Sequence, residues 1–222
     1  MSRLCIGVFL LVPAIFFRSS ASGQDLPKGE VFGGYSYLHV DTHGITTSAL
    51  TNECNIVFGG TCPATFGVHP GFNGWNVAAQ GNINQWFGVK AQVAAGYGNI
   101  LSVKFNSPLP IAFGIPGQHI YDVLFGPVIS KRSQGYTAFA HGLIGLQHVG
   151  LTGNIPVGGI SFSGPSETNL AFALGGGLDV KASRHFAVRI GQFDYEFVNT
   201  SGSHQNDFRF SAGVVFGFGG KH

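Results

Sequence analysis

The sequence predicts an all-β protein, an eight-stranded antiparallel up-and-down transmembrane β-barrel. Three observations carry this. Segments of about ten residues recur with period-two alternation, bounded by Gly, Asn, Ser and Pro. In these segments the bulky apolar residues share one face and the small or polar residues share the other, the reverse of a soluble barrel. The connections between segments alternate short and long, as they do when hairpin turns gather at one end of a barrel and loops at the other.

Residues 1–23 stand apart from the segments. Arg3 precedes the apolar run Leu4–Phe17, and "SSASG" leads to Gln24, with Ala21 and Gly23 at the −3 and −1 positions of a cleavage site. This is the layout of a secretory signal peptide, and the run is shorter than the roughly 20 residues a spanning helix needs. The domain organisation is therefore a signal peptide over 1–23 and a barrel over 24–222.

The first segment is 30–41, "EVFGGYSYLHVD". In the second, 72–83, Trp75, Val77, Ala79 and Ile83 oppose Asn76, Ala78, Gln80 and Asn82. In the third, 86–98, Phe87, Val89, Ala91, Val93, Ala95 and Tyr97 oppose Gly88, Lys90, Gln92, Ala94 and Gly96. The fourth, 118–130, is "QHIYDVLFGPVIS", and the fifth, 135–148, is "GYTAFAHGLIGLQH". In the sixth, 168–180, Leu170, Phe172, Leu174, Gly176, Leu178 and Val180 oppose Ala171, Ala173, Gly175, Gly177 and Asp179. In the eighth, 207–218, Phe208, Phe210, Ala212, Val214, Phe216 and Phe218 oppose Arg209, Ser211, Gly213, Val215 and Gly217.

The seventh segment, 185–198, needs one extra residue. Arg189 has odd parity, whereas Gln192, Asp194 and Glu196 are even, so a regular strand that turned Arg189 inward would point the acids at lipid. A lipid-facing Arg or Lys costs about 2–4 kcal/mol at mid-bilayer, and an acid less. A β-bulge near Gly191 puts all four polar groups inside. Glu196 is then expected roughly opposite Arg209 near the outer end, with Asp194 one inward step deeper and able to share the same guanidinium.

Segments two and three, four and five, and six and seven are joined by "NQ" (84–85), "KRSQ" (131–134) and "KASR" (181–184). The stretches 42–71, 99–117, 149–167 and 199–206 read as loops. Lys28, Lys131, Arg132, Lys181, Arg184 and Lys221 fall at the short-turn end, and Asp41, Glu53, Glu167 and Asp207 toward the other. The short turns should face the periplasm and the long loops the outside. Tyr35, Tyr37, Trp75, Trp86, Tyr97, Tyr121, Tyr136 and Tyr195 lie mostly near strand ends, where interfacial girdles form.

Removing Arg3 and Arg18 from the 12 basic residues leaves as many basic as acidic ones, 10. A neutral chain offers no footprint for nucleic acid. Cys54 and Cys62 follow the signal segment, and an exported chain meets an oxidising compartment, so a disulfide within the first outer loop is expected. Closing that loop contributes about 2.5 kcal/mol on the chain-entropy estimate.

As a set, "VFGGYSYL", "NGWN", "AFAHGLIG", "LAFALGGGLDV", "AVRIGQFDYEF" and "DFRFSAGVVFGF" resemble the outer-membrane β-barrel domain family, of the outer-membrane protein A type. The resemblance covers nearly all of 30–218. It implies a small eight-stranded barrel in the outer membrane of a Gram-negative-type cell, in most members without assigned chemistry. Members often end on an aromatic residue read by the barrel-assembly machinery; the matching residue is Phe218, here followed by "GGKH".

The residues point to a structural or surface-interacting barrel, not an enzyme. An eight-stranded barrel is filled by its own side chains, and Lys90, Asp122, Asp179, Arg189, Asp194, Glu196 and Arg209 form the expected interior charged network. A narrow porin-like channel would need a gap among Lys90, Asp122, Arg189 and Arg209. A lipid-modifying enzyme, of lipid A deacylase or acyltransferase type, would draw on Ser161, Ser163 or Ser203 with His119, His148 or His204, but no motif sets a base beside a nucleophile. His141 reads as a satisfied interior histidine, the Gly run 175–177 as close packing within a strand. No cofactor or metal is expected. The expected partners are outer-membrane lipid and lipopolysaccharide, the assembly machinery, and a surface partner reached through the apolar long loops; the barrel is expected to be monomeric.

Overall fold

In the computed structural model, which describes residues 26–42, 46–105, 112–114, 117–155, 160–200 and 203–219, eight strands close into an antiparallel barrel. They are β1 (Gly29–His39), β3 (Gly71–Asn82), β4 (Phe87–Gly98), β7 (Gly117–Arg132), β8 (Tyr136–Ile155), β9 (Ile160–Lys181), β10 (Phe186–Thr200) and β11 (Ser203–Phe218). Neighbours around the barrel run β1-β11-β10-β9-β8-β7-β4-β3, so sequence neighbours pair and the first strand closes on the last. Closure leaves no edge with unpaired backbone groups, the condition for a sheet to sit in hydrocarbon. The segment at 1–23 lies outside the described residues.

The two faces divide as the alternation predicts. Outward side chains such as Phe125, Leu174 and Phe193 are 61%, 66% and 68% exposed, while inward Asp122, Gln192 and Ser211 have no exposure. Ala95 departs from its neighbours: it has outward parity yet is fully buried, lying between Trp75 and Tyr121 in the ladder. The interior is more apolar than expected. Leu124, Leu143, Ala171, Ala173 and Val198 form one inward cluster. A second, of Leu38, Val40, Phe72 and Ile120, lies toward the long-loop end. Phe32, Ala78 and Val215 make a third nearer the turns.

The bulge falls where charge parity demands it. Pairing with β11 steps between Arg189 and Gln192, and pairing with β9 steps between Arg189 and Gly191. Arg189, Gln192, Asp194 and Glu196 are all buried, with Ile190, Phe193 and Tyr195 outward. Small residues on the neighbouring strand make room for them. A Cβ on Gly175 would meet the Asp194 carboxylate, and one on Gly177 would stand 2.8 Å from the Phe139 ring.

The long connections correct the sequence reading. The stretch 149–167 is mostly strand, because β8 and β9 continue pairing to Ile155↔Ile160. The stretch 42–71 contains a helix, α1 (Thr47–Val57), and a strand, β2 (Ala64–Val68). The stretch 99–117 contains β5 (Leu101–Phe105) and β6 (Ala112–Gly114), which join β2 in a separate sheet of order β2-β5-β6. Most of 199–206 likewise belongs to the paired ends of β10 and β11. Among the described residues no helix is long and apolar enough to cross a membrane.

Candidate functional site

Two regions could carry function, the barrel interior and the long-loop end. In the interior, Arg209 on β11 is the largest fully buried side chain. Its Nε donates to Glu196 Oε1 at 2.6 Å and its second terminal nitrogen to Glu196 Oε2 at 3.1 Å. The same nitrogen donates to Asp122 on β7, and the other to Ser36 Oγ on β1 at 3.3 Å. One guanidinium therefore ties four strands.

This geometry corrects two details of the sequence reading. The residue opposite Arg209 is Asp194, while Glu196 stands opposite Asp207, so the Arg209–Glu196 pair is diagonal. Asp194 bonds elsewhere: Gln192 Nε2 donates to its Oδ2 at 2.6 Å, and His141 Nε2 lies 3.0 Å from its Oδ1. The arginine reaches along the barrel axis to the longer carboxylate, which a planar five-donor fork on a flexible stem allows.

Arg189 forms a second centre near the turns. It holds Asp179 in a bidentate pair, Nε to Oδ1 at 2.7 Å and terminal nitrogen to Oδ2 at 2.9 Å. These two residues are direct partners in the β9–β10 ladder. The guanidinium lies between the Phe32 and Phe139 rings, 4.3 and 4.2 Å from their centroids, in cation–π range. Gln192 extends this centre across the bore: its Oε1 accepts from Arg189 at 2.7 Å and from Lys90 Nζ at 3.2 Å, and its Nε2 donates to Gln92 at 3.1 Å. Lys90 Nζ also lies 3.5 Å from His141 Nδ1. Closer to the turns, Arg132 donates to Glu30 at 2.9 Å.

Lys90, Asp122, Asp179, Arg189, Asp194, Glu196 and Arg209 all lie buried inside, and hydrogen bonds from Arg209 to Asp122 and from Lys90 to Gln192 cross the bore. Of the residues between which a channel would need a gap, Arg209 bonds Asp122, and Arg189 and Lys90 both bond Gln192. Sequence reasoning placed the charged groups on the inner face but did not assign the partners Gln192, Ser36 and His141. An amide or hydroxyl on an inward face carries no charge that demands a partner, so parity alone gives no pairing.

At the long-loop end, Cys54 and Cys62 are bridged. The Thr46 side chain caps α1 by accepting from the Ala49 N–H at 3.2 Å. Asn55 ties the return: its Oδ1 accepts from the Cys62 N–H at 2.7 Å, and its carbonyl accepts from the Gly60 N–H at 2.7 Å. Gly59 and Gly60 take positive φ in that turn. Below it, outward rings form a row around the barrel rim. Tyr97 meets Tyr121 edge-on at 6.1 Å, His119 tilts against Tyr121 at 5.2 Å, and His148 Nδ1 stands 2.8 Å from Thr168 Oγ1.

Of the catalytic candidates, Ser161, Ser163 and Ser203 have side chains outside the described residues. The His119 and His148 rings lie tilted to each other with centroids 6.4 Å apart, and the His204 ring lies tilted against Phe197 at 5.4 Å. Among the described residues no group of three or more His, Cys, Asp or Glu could hold a metal ion.

No protein-family model and no curated protein matches the chain. Solved structures do resemble it. Ail, the attachment invasion locus protein of Yersinia pestis, solved in complex with the heparin analogue sucrose octasulfate, is 18% identical with a TM-score of 0.50; the match covers 85% of this chain and 97% of Ail. Neisserial surface protein A is 11% identical with a TM-score of 0.54, covering 86% of this chain and 97% of that one. At these identities the likeness is one of fold, that of the eight-stranded outer-membrane barrels.

Proposed function

We propose that the protein is an integral outer-membrane barrel, exported by its N-terminal signal segment, that works through its surface and not by conduction or catalysis. The observation that carries this reading is the division of the barrel. A closed wall of exposed apolar side chains surrounds a bore crossed by the Arg209 and Arg189 centres. A wall of that kind is stable against hydrocarbon, and an eight-stranded interior is just wide enough for its own side chains to fill. Lipid and lipopolysaccharide are then its lateral partners. Phe218, exposed at the end of β11 and paired with Gly29, is the proposed aromatic signal for the assembly machinery.

The elaborated long-loop end supports a surface-interaction role. The sulfated ligand in the Ail structure belongs to Ail. Here Lys104 is the one Lys or Arg in the long-loop stretches, too few for a polysulfated sugar. The chemistry of a partner must therefore differ.

Fractionation tests the location: the protein should co-purify with outer membranes and migrate differently on gels when unheated. Reconstituted into planar bilayers it should give no discrete conductance steps. Lipid A mass spectra from deletion and overexpressing cells should be identical. Stable ion currents would support the channel reading, and altered acylation the enzyme reading.

A further inference from the structure

The long-loop end carries an apolar feature that the barrel does not need. Ile56, Val57 and Phe58 are consecutive and 81%, 77% and 59% exposed. Apart from Ile83 in a short turn, the other exposed large apolar residues among the described ones, such as Phe125 and Leu174, lie on barrel strands facing outward, where lipid accounts for them. These three end α1, a helix with no buried residue. We infer that the tip formed by Ile56, Val57 and Phe58 is a wedge that inserts into the lipid of an apposed bilayer; this rests on the surface-interaction reading above and names its partner.

Three features of the tip fit hydrocarbon. First, no Lys, Arg, Asp or Glu lies from Cys54 to Cys62, so the tip matches an uncharged medium. Glu53, one residue before, confines insertion to the tip itself. Second, amides of the turn are bonded within it. Phe58 N–H donates to Cys54 O at 3.0 Å, Gly60 N–H to Asn55 O at 2.7 Å, and Cys62 N–H to Asn55 Oδ1 at 2.7 Å. A loop that enters lipid without such bonds would carry the cost of bare donors, several kcal/mol each. Third, the Cys54–Cys62 bridge holds the tip in shape before contact, so little ordering entropy is lost on insertion. A protein cleft would instead need polar groups to fix orientation, and the Asn55 side chain is already engaged within the turn.

Position argues for an apposed membrane over the one holding the barrel. The pair β2–β5 continues the β3–β4 ladder past the rim, bridged by His69 N–H to Ile100 O at 2.7 Å. Ala64, paired with Phe105, is the far end of that extension. At about 3.3 Å per residue it lies on the order of 20 Å along the strand path beyond Gly71. The bridge at Cys62 is two residues further.

The test uses the whole barrel in nanodiscs of ordinary phosphatidylcholine, mixed with vesicles containing brominated acyl chains. The nanodisc protein must first show the unheated gel shift; failure to insert would overturn the barrel reading and this inference with it. With Phe58→Trp in a Trp75→Phe, Trp86→Phe background, vesicles should shift the emission to the blue and quench it. As a second measurement, the unaltered chain should co-float with vesicles. Ile56→Ser, Val57→Ser and Phe58→Ser together should weaken co-flotation at least about tenfold. An inserted barrel whose tip tryptophan stays unshifted and unquenched, or whose triple variant floats equally well, would overturn the wedge and leave the barrel reading standing.

Discussion

The interior is governed by a few long side chains. Arg209 has no exposure to speak of and faces two carboxylates, Glu196 and Asp122, so its removal strands two acids inside a narrow bore. Breaking a buried pair by removing one partner costs about 3–5 kcal/mol, because the uncompensated charge stays buried. Arg209→Met should therefore destabilise the barrel by about that much. Arg209→Met with Glu196→Gln should cost less than Arg209→Met alone, and adding Asp122→Asn should recover more. Urea unfolding in a reversibly folding preparation measures this series, and strict additivity would mean the pairs are not coupled. Parity revealed that these charges point inward, because a charged residue has only one tolerable side in a membrane wall. It did not reveal which carboxylate Arg209 would choose, since side-chain reach over two ladder positions leaves no trace in alternation.

The barrel strands and their boundaries at the short turns were the most legible part of the sequence. Period-two alternation placed all eight barrel strands, and the bulge followed from one shift of charge parity between Arg189 and Gln192. Deleting Gly191 should remove the bulge and leave Arg189, Gln192, Asp194 and Glu196 on one face of a regular strand, because the gap from Arg189 to Gln192 falls from three residues to two. That variant should keep the unheated gel shift, as should Gly191→Ala, and loss of the shift in the deletion alone would mean that the bulge is needed for more than charge parity. The elements beyond the rim were not legible. Helix α1 buries no face and so shows no helical stripe. The extension of β8 and β9 runs through "LTGNI" and "ISFSGPSETN", Gly- and Ser-rich sequence that reads as loop although its backbone pairs. The disulfide constrains only the α1 turn, so Cys54→Ser with Cys62→Ser should leave the gel shift intact. Proteolysis of the loop should accelerate, in keeping with the loss of about 2.5 kcal/mol of local constraint.

At the scale of the whole molecule, the two ends differ in chemistry as well as in length. Lys28, Lys131, Arg132, Lys181 and Arg184 gather by the short turns, with Lys181 Nζ bonded to the Ser133 carbonyl at 2.7 Å. The opposite end carries the bridged helix, the three-stranded sheet and the row from Tyr97 to Thr168. A barrel assembled from one side of a membrane carries short turns across no barrier, whereas its long connections must be moved through. The side that keeps the turns is thus the expected side of entry, and the elaborated end should face out. Single cysteines read this orientation directly, because the native pair is already bridged. Gln85→Cys sits exposed in a short turn, and Glu167→Cys lies exposed at the far rim. A membrane-impermeant maleimide applied to intact cells should label Glu167→Cys and spare Gln85→Cys, and permeabilising the outer membrane should make both react. Labelling of Gln85→Cys in intact cells would reverse the orientation, and the apolar tip of α1 would then face the periplasm instead of another membrane.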